Sequence, residues 1–291
     1  MTKKALVLTG GGVRGAFQVG ALCYLMAERG EQYDIITGTS VGALNGSFLA
    51  QYKKGDEYKA ILDLRRLWLT IVNKKIRKHW FPLGYIHALW KQSLYNSGPL
   101  EELIDKTLDL DKLKSSGVTL RVVATSIDSG ESRVFGESDP HIKDAVKASA
   151  AFPVFFKPVK IGNEYYVDGG VREIAPLAEA IKQGADHITI INTGPLDLKV
   201  VHAANLNAIP IAWRVIDAQG TEILVNDLER FLQTNRMLES KKLTDSTKRI
   251  IDYEYIGPDY ELTDDPLNFD SREIREMMIE GYDVAKSKFN K

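Results

Sequence analysis

A single cysteine, Cys23, stands among 291 residues. One thiol excludes an internal disulfide and any zinc site built on several thiolates, and it fits a reducing compartment. Its neighbours in Ala21-Leu22-Cys23-Tyr24-Leu25 are apolar, which is the setting of a buried core thiol rather than a nucleophile. An excess of one charge is missing too, because 38 Lys and Arg face 39 Asp and Glu for a formal charge of −1. No global field draws nucleic acid, so none is expected as a partner. Long hydrophobic runs are also lacking. No stretch approaches the roughly 18 apolar residues that span a bilayer, and the short run from Ala5 to Leu8 behind Lys3 and Lys4 does not make a signal peptide. The expected location is cytoplasmic, with any membrane contact peripheral.

With 44% hydrophobic and 26% charged residues and a mean hydropathy of −0.19, the chain has ample material for a buried core. Apolar β-branched runs alternate with helical patterns. "KALVLT" leads through glycines into "AFQVGALCYLMAERG", and "YDIITG" leads into "SVGALNGSFLAQYKKG". Strand, helix, strand, helix with short connections implies a parallel βαβ arrangement, hence an α/β class. Further strands are expected at "TLRVVATSID", "SRVFGE", "PVKIG", "EYYVDGG", "HITIINTG" and "RIIDYEYIGP". Residues 56–108 read as a mainly helical insertion, and residues 200–291 as a helical and strand extension that includes a long helix from about Ile211 to Arg236. A last helix opens at Asp270 or Ser271. No repeat, low-complexity linker or domain break interrupts the chain, so residues 1–291 are expected to form a single domain.

Three stretches carry chemistry. The first, "TGGGVRG", places Gly10, Gly12 and Gly15 in a G-x-G-x-x-G pattern directly after a strand, which suits a dinucleotide pyrophosphate or any other anion held by backbone N–H groups. A dinucleotide site, however, expects an acidic residue at the end of the second strand; Asp34 lies at its start, and its end is Gly38-Thr39-Ser40. The second, Gly38-Thr39-Ser40-Val41-Gly42, is a G-x-S-x-G between a strand and a helix, the context a nucleophile elbow requires. Two readings of Ser40 fit: a strained, projecting nucleophile, or an ordinary helix cap. The third is Asp168-Gly169-Gly170 at the end of "EYYVDGG". In a parallel sheet that end also carries the first loop and Ser40. The alternative there is a plain Asp-Gly turn, although the chain goes on to a helical pattern rather than to a partner strand.

A serine nucleophile commonly uses histidine as its base. The five histidines are His79, His87, His141, His187 and His202, and none sits in a sharp loop just after a strand. His202 is the least poor candidate. Taken together and in order, "GGGVRG", "GTSVG" and "DGG", with "ASAAFPVFFKPV" (Ala148 to Val159) and "SGPLEELI" beside them, resemble the patatin-like phospholipase family over roughly residues 4–190. The resemblance implies a three-layer α/β/α fold with a mainly parallel central sheet and a serine-aspartate dyad that hydrolyses acyl esters of lipids without any metal or organic cofactor. It assigns Ser40 as nucleophile, Asp168 as general base, and Gly10, Gly11, Gly12, Val13, Arg14 and Gly15 as the oxyanion loop. Gly38 and Gly42 then flank the elbow, and Gly169 and Gly170 complete the aspartate motif. Arg14 fits two roles equally, adding positive potential or fixing the loop, or serving as a structural ion-pair partner.

Two departures from the family pattern stand out. Val41 replaces the usual alanine beside the nucleophile, and Arg172 and Glu173 follow the Asp-Gly-Gly where a shorter residue and an asparagine are common. Both bear on the expected acyl pocket. In the insertion, Asn73 to Lys91 combines Lys74, Lys75, Arg77, Lys78 and Lys91 with Trp80, Phe81, Tyr85 and Trp90. That composition suits an anionic lipid interface, and suits better an aromatic lid with solvated cations. The rival functions are an acyltransferase or an esterase using Ser40 with a histidine, and a dinucleotide-binding protein built on the first loop.

Overall fold

In the computed structural model, which describes residues 2–71, 76, 92–202, 207–240 and 248–290, every residue of β1 (Lys4–Leu8) after Lys4 is buried. Strand side chains alternate between faces. Leu6 and Leu8 join one hydrophobic cluster, while Ala5 and Val7 join another. The same division holds in β2 (Ile35–Thr39), where Ile36 and Ile35 enter opposite clusters. A central sheet with an apolar core on each face is a three-layer α/β/α architecture.

The remaining strands are β3 (Thr119–Ser126), β4 (Ser132–Gly136), β5 (Val159–Ile161), β6 (Glu164–Asp168), β7 (His187–Ile191) and β8 (Asp252–Ile256). The sheet runs β5-β6-β3-β2-β1-β7-β8, with β4 also paired to β3. Pairings among β3, β2, β1, β7 and β8 are parallel. Those of β4, β5 and β6 are antiparallel. This corrects one expectation about Asp168. Its strand does not run with the parallel set; it enters from the sheet's C-terminal edge, pairs Ser126 with Tyr166, and stops where Asp168 meets Ala124. Because Thr39 pairs with Val123, Asp168 ends level with Ser40, from the opposite direction.

On one face lie α1 (Gly15–Leu22), α2 (Val41–Leu49), α3 (Glu57–Leu69), α4 (Gly98–Thr107), α5 (Leu110–Ser115) and α6 (Ile142–Ser149). Here α1 continues as a π-helical stretch, Cys23–Glu28. The other face is covered by α7 (Leu177–Lys182) and by the central part of α8 (Ala208–Glu239). The last helix, α9 (Ser271–Phe289), is capped as its sequence suggests, with the Asp270 carboxylate accepting from the N–H groups of Arg272 and Glu273.

Helices α1 and α9 touch backbone to backbone. A Cβ on Gly281 would lie 2.0 Å from the Phe17 carbonyl oxygen, and one on Gly20 only 1.9 Å from that of Met278. Alanine ordinarily stabilises a helix interior by about 1 kcal/mol over glycine. Here the sign reverses: Gly281→Ala is expected to lower stability by roughly 1–3 kcal/mol through overpacking, read as a lower midpoint in urea unfolding.

Candidate active site

Ser40 sits between β2 and α2 with φ 55 and ψ −125, a left-handed conformation that a side-chain-bearing residue adopts only under constraint. The constraint comes from how closely the strand and helix approach. A Cβ on Gly38 would fall 2.4 Å from the Gly42 oxygen, and one on Gly42 would fall 2.2 Å from the Leu8 oxygen, so both glycines are needed for the turn to close. Its hydroxyl makes no cap bond to α2, which removes the capping role that the sequence leaves open. Instead it faces the Asp168 carboxylate and holds its pKa down.

Asp168 is 1% exposed. Burial pushes its carboxyl up to about 7, against the smaller opposing effects of the Ser40 hydroxyl and the Gly170 N–H. That N–H lies 2.8 Å from Asp168 Oδ1. The "ASAAF" segment ties both residues down: Ser149 Oγ accepts from the Ser40 N–H at 2.9 Å, and the Ala151 carbonyl accepts from the Asp168 N–H at 3.1 Å. Neither anchor carries an independent sequence signal, because a serine at a helix end is ordinary.

The glycine loop faces the same cavity, but its donors divide. The Gly10 N–H is donated to Ile174 O at 3.1 Å, the Val13 N–H to Pro266 O at 2.7 Å, and the Arg14 N–H to Gly11 O at 3.2 Å. The Gly15 N–H also turns inward, to the carbonyls of Gly12 and Val13. Only the N–H groups of Gly11 and Gly12 have no partner among the described residues. Val13, although part of the loop, is therefore no donor to the cavity: the Pro266 carbonyl has taken its N–H. Behind the loop, Thr193 Oγ1 donates to Gly10 O and Gln18 Nε2 to Thr9 O at 2.9 Å. Asn45 bonds to the Gly15 oxygen at 3.2 Å, to Gln18 Oε1 at 3.0 Å and to Trp68 Nε1 at 2.8 Å. These buried polar groups satisfy one another and fix the loop. Gln18 and Asn45 interrupt two otherwise apolar helical runs, and that is a signal sequence reading could have used.

Together these residues open on a cavity of about 180 Å³. Leu44 and Phe48, on successive turns of α2, line it together with Leu67 of α3 and Leu103 of α4. Gln51 also lines it, bonding to the Thr107 carbonyl at 3.2 Å and to the Asp109 N–H at 2.8 Å. From α8, Trp213, Ile216, Asp217, Gly220, Thr221 and Leu224 line it as well. Val41 lines the cavity; Arg172 and Glu173 do not. Arg172 bonds to the Gly130 carbonyl at 2.6 Å, and Glu173 is pushed up to about 7 by burial and by the nearby carboxylates Asp227 and Glu179. Of the two departures, only Val41 can touch a substrate there.

No histidine lines the cavity among the described residues. His141 begins α6, His187 lies 3.5 Å from Glu254 and His202 is exposed, while His79 and His87 fall outside the described residues. The basic-aromatic segment from Asn73 to Lys91 also falls outside them except for Ile76, which lines the cavity. Among the described residues no helix is long and apolar enough to cross a membrane.

A model of the family described as patatin-like phospholipase matches residues 6–181, a span holding the glycine loop, Ser40 and Asp168. The chain is 29% identical over 200 residues to the uncharacterized protein YjjU of Escherichia coli (strain K12), covering 66% of this chain and 52% of that one. It is 26% identical over 192 residues to the cGAMP-activated phospholipase of Escherichia coli (strain TW11681), covering 58% of this chain and 52% of that one. The chain spans about half the length of these curated relatives. Among solved structures, VipD from Legionella pneumophila aligns with a TM-score of 0.46 and 17% identity over 98% of this chain and 66% of that one.

Proposed function

The chain belongs to the patatin-like phospholipase family, and from that premise we propose that it is a serine hydrolase of lipid acyl esters working through Ser40 and Asp168. The observation that carries the reading is the Ser40 hydroxyl facing the buried Asp168 carboxylate in the wall of an apolar cavity. Ser40 Oγ attacks the ester carbonyl as Asp168 takes its proton. Aspartate is a weak base toward a hydroxyl, and its desolvation narrows that gap by raising the carboxyl to about 7. The tetrahedral oxyanion is received by the free N–H groups of Gly11 and Gly12. Asp168 returns the proton to the leaving alcohol, and water releases the acyl group by the same relay.

The apolar part of the cavity lined by α2 takes the acyl chain. Contact with a lipid surface through Asn73 to Lys91 belongs to the same reading, since those residues flank cavity-lining Ile76. Titrating fatty acid released from vesicles of phospholipid, lysophospholipid and acylglycerol tests the proposal. Release from at least one class supports it; none from any class, with native protein, refutes it. That part of the cavity has its own test. Leu44→Trp fills it one helical turn from Ser40 and is expected to lower kcat/KM for dodecanoyl esters at least about tenfold while leaving acetyl esters within about threefold.

A further inference from the structure

Arg14 follows the glycine loop and is nearly buried, as is its ion-pair partner, with side-chain exposures of 9% for Arg14 and 17% for Asp217. Its guanidinium is held at two points. Nε donates to the Gly11 carbonyl at 3.1 Å, and Nη2 donates to Asp217 Oδ1 at 2.6 Å. Because the group is planar and rigid, fixing two of its nitrogens fixes the plane.

The Gly11 carbonyl shares a peptide plane with the Gly12 N–H, and in a trans peptide the two point in opposite directions. Whatever holds the oxygen on one side therefore aims the N–H on the other. That N–H is one of the two unpartnered donors of the loop. Gly11 and Gly12 both have positive φ, at 150 and 60, so intrinsic backbone preference does little to hold this peptide in place. The Arg14 backbone N–H holds the Gly11 oxygen at 3.2 Å, and the guanidinium adds a second hold on the same oxygen.

Asp217 anchors that guanidinium from a distance of 203 residues. It lies on α8, outside the matched family span, in the stripe formed by Trp213, Ile216, Asp217, Gly220, Thr221 and Leu224. Spacings of three and four place these residues on one helical face, and that face lines the cavity. We propose that Asp217 is a positioning residue, which sets the direction of the Gly12 N–H through Arg14 and so makes α8 part of the oxyanion site. The inference rests on the reading of Ser40 as nucleophile and the loop as oxyanion receiver.

A pair that merely fastens α8 to the core would affect stability and substrate affinity. A pair that aims a donor affects the chemical step, because the donor matters most when negative charge has developed. The test is steady-state hydrolysis of p-nitrophenyl butyrate by wild type, Asp217→Asn, Asp217→Glu, Arg14→Gln and the Arg14→Gln/Asp217→Asn double variant, with thermal melts of each. Asp217→Asn is expected to lower kcat roughly 10- to 100-fold, below the loss typical of deleting an oxyanion donor outright, with KM within about threefold. Asp217→Glu recovers kcat to within about fivefold. The double variant, which leaves no uncompensated buried charge, is expected to be no slower than Arg14→Gln alone, since both act through one peptide. An unchanged kcat in Asp217→Asn, a loss confined to KM, or losses that multiply in the double variant would each overturn the inference. Inert or Ser40-independent wild type overturns the underlying reading instead, and the inference falls with it.

Discussion

Replacing Ser40 with alanine is expected to reduce ester hydrolysis by at least about a thousandfold, the loss typical of removing a nucleophile whose partners cannot substitute for it. Among the described residues, no other hydroxyl acts on the Asp168 carboxylate. The variant should also fold well. Ser40 Oγ makes no cap bond to α2, and the elbow is held by its backbone N–H to Ser149 Oγ, a bond alanine retains. Initial rates on a p-nitrophenyl ester, with circular dichroism as the fold control, give the comparison. A residual rate within tenfold of wild type would remove Ser40 from the mechanism.

Asp168→Asn carries the second largest effect, and it has two opposite signs. As a base, Asp168 must be ionised, so wild-type kcat/KM is expected to rise with pH to a plateau, half-maximal near pH 7. Asparagine removes the base and lowers kcat about 10²- to 10⁴-fold. For stability the sign reverses. The folded carboxyl titrates near 7, above its unfolded value of about 3.9. Its contribution favours the fold below about pH 4 and is lost as pH rises through 7, where a buried charge opposes folding. At pH 8 the asparagine variant is therefore expected to be more stable than wild type, by an amount on the order of a few kcal/mol, and the gain should shrink toward pH 5. Glu173, also raised to about 7, steepens the pH dependence of both proteins alike and drops out of the difference. Urea unfolding at pH 5 and pH 8 measures it. An equal difference at the two pH values would mean that Asp168 is not buried and protonated as described.

What could be read in the sequence was local. The glycine loop and the Ser40 elbow each lie within one strand-turn-helix unit, so the residue pattern and the geometry it produces are neighbours in the chain. The alternation of strand and helix patterns likewise announced an α/β sheet. Asp168 was legible as a residue but not as a direction: its strand is antiparallel because of where it pairs with β3, and nothing within "EYYVDGG" encodes that. The donor inventory of the loop was hidden for a similar reason, since the carbonyl that takes the Val13 N–H comes from Pro266. Asp217 was least visible of all. On a 32-residue helix, one more acidic residue reads as a solvated charge, and its burial follows only from meeting Arg14 in space.

The central claim, that Ser40 is a nucleophile activated by Asp168 without histidine, is tested most directly by intact-protein mass spectrometry after reaction with a fluorophosphonate. Wild type, Ser40→Ala, Asp168→Asn and His202→Ala are compared at pH 8. The account predicts one adduct on wild type that maps to Ser40, an equal adduct on His202→Ala, a strongly slowed adduct on Asp168→Asn, and none on Ser40→Ala. An adduct that survives Ser40→Ala, or one abolished by His202→Ala while Asp168→Asn reacts at the wild-type rate, would contradict it.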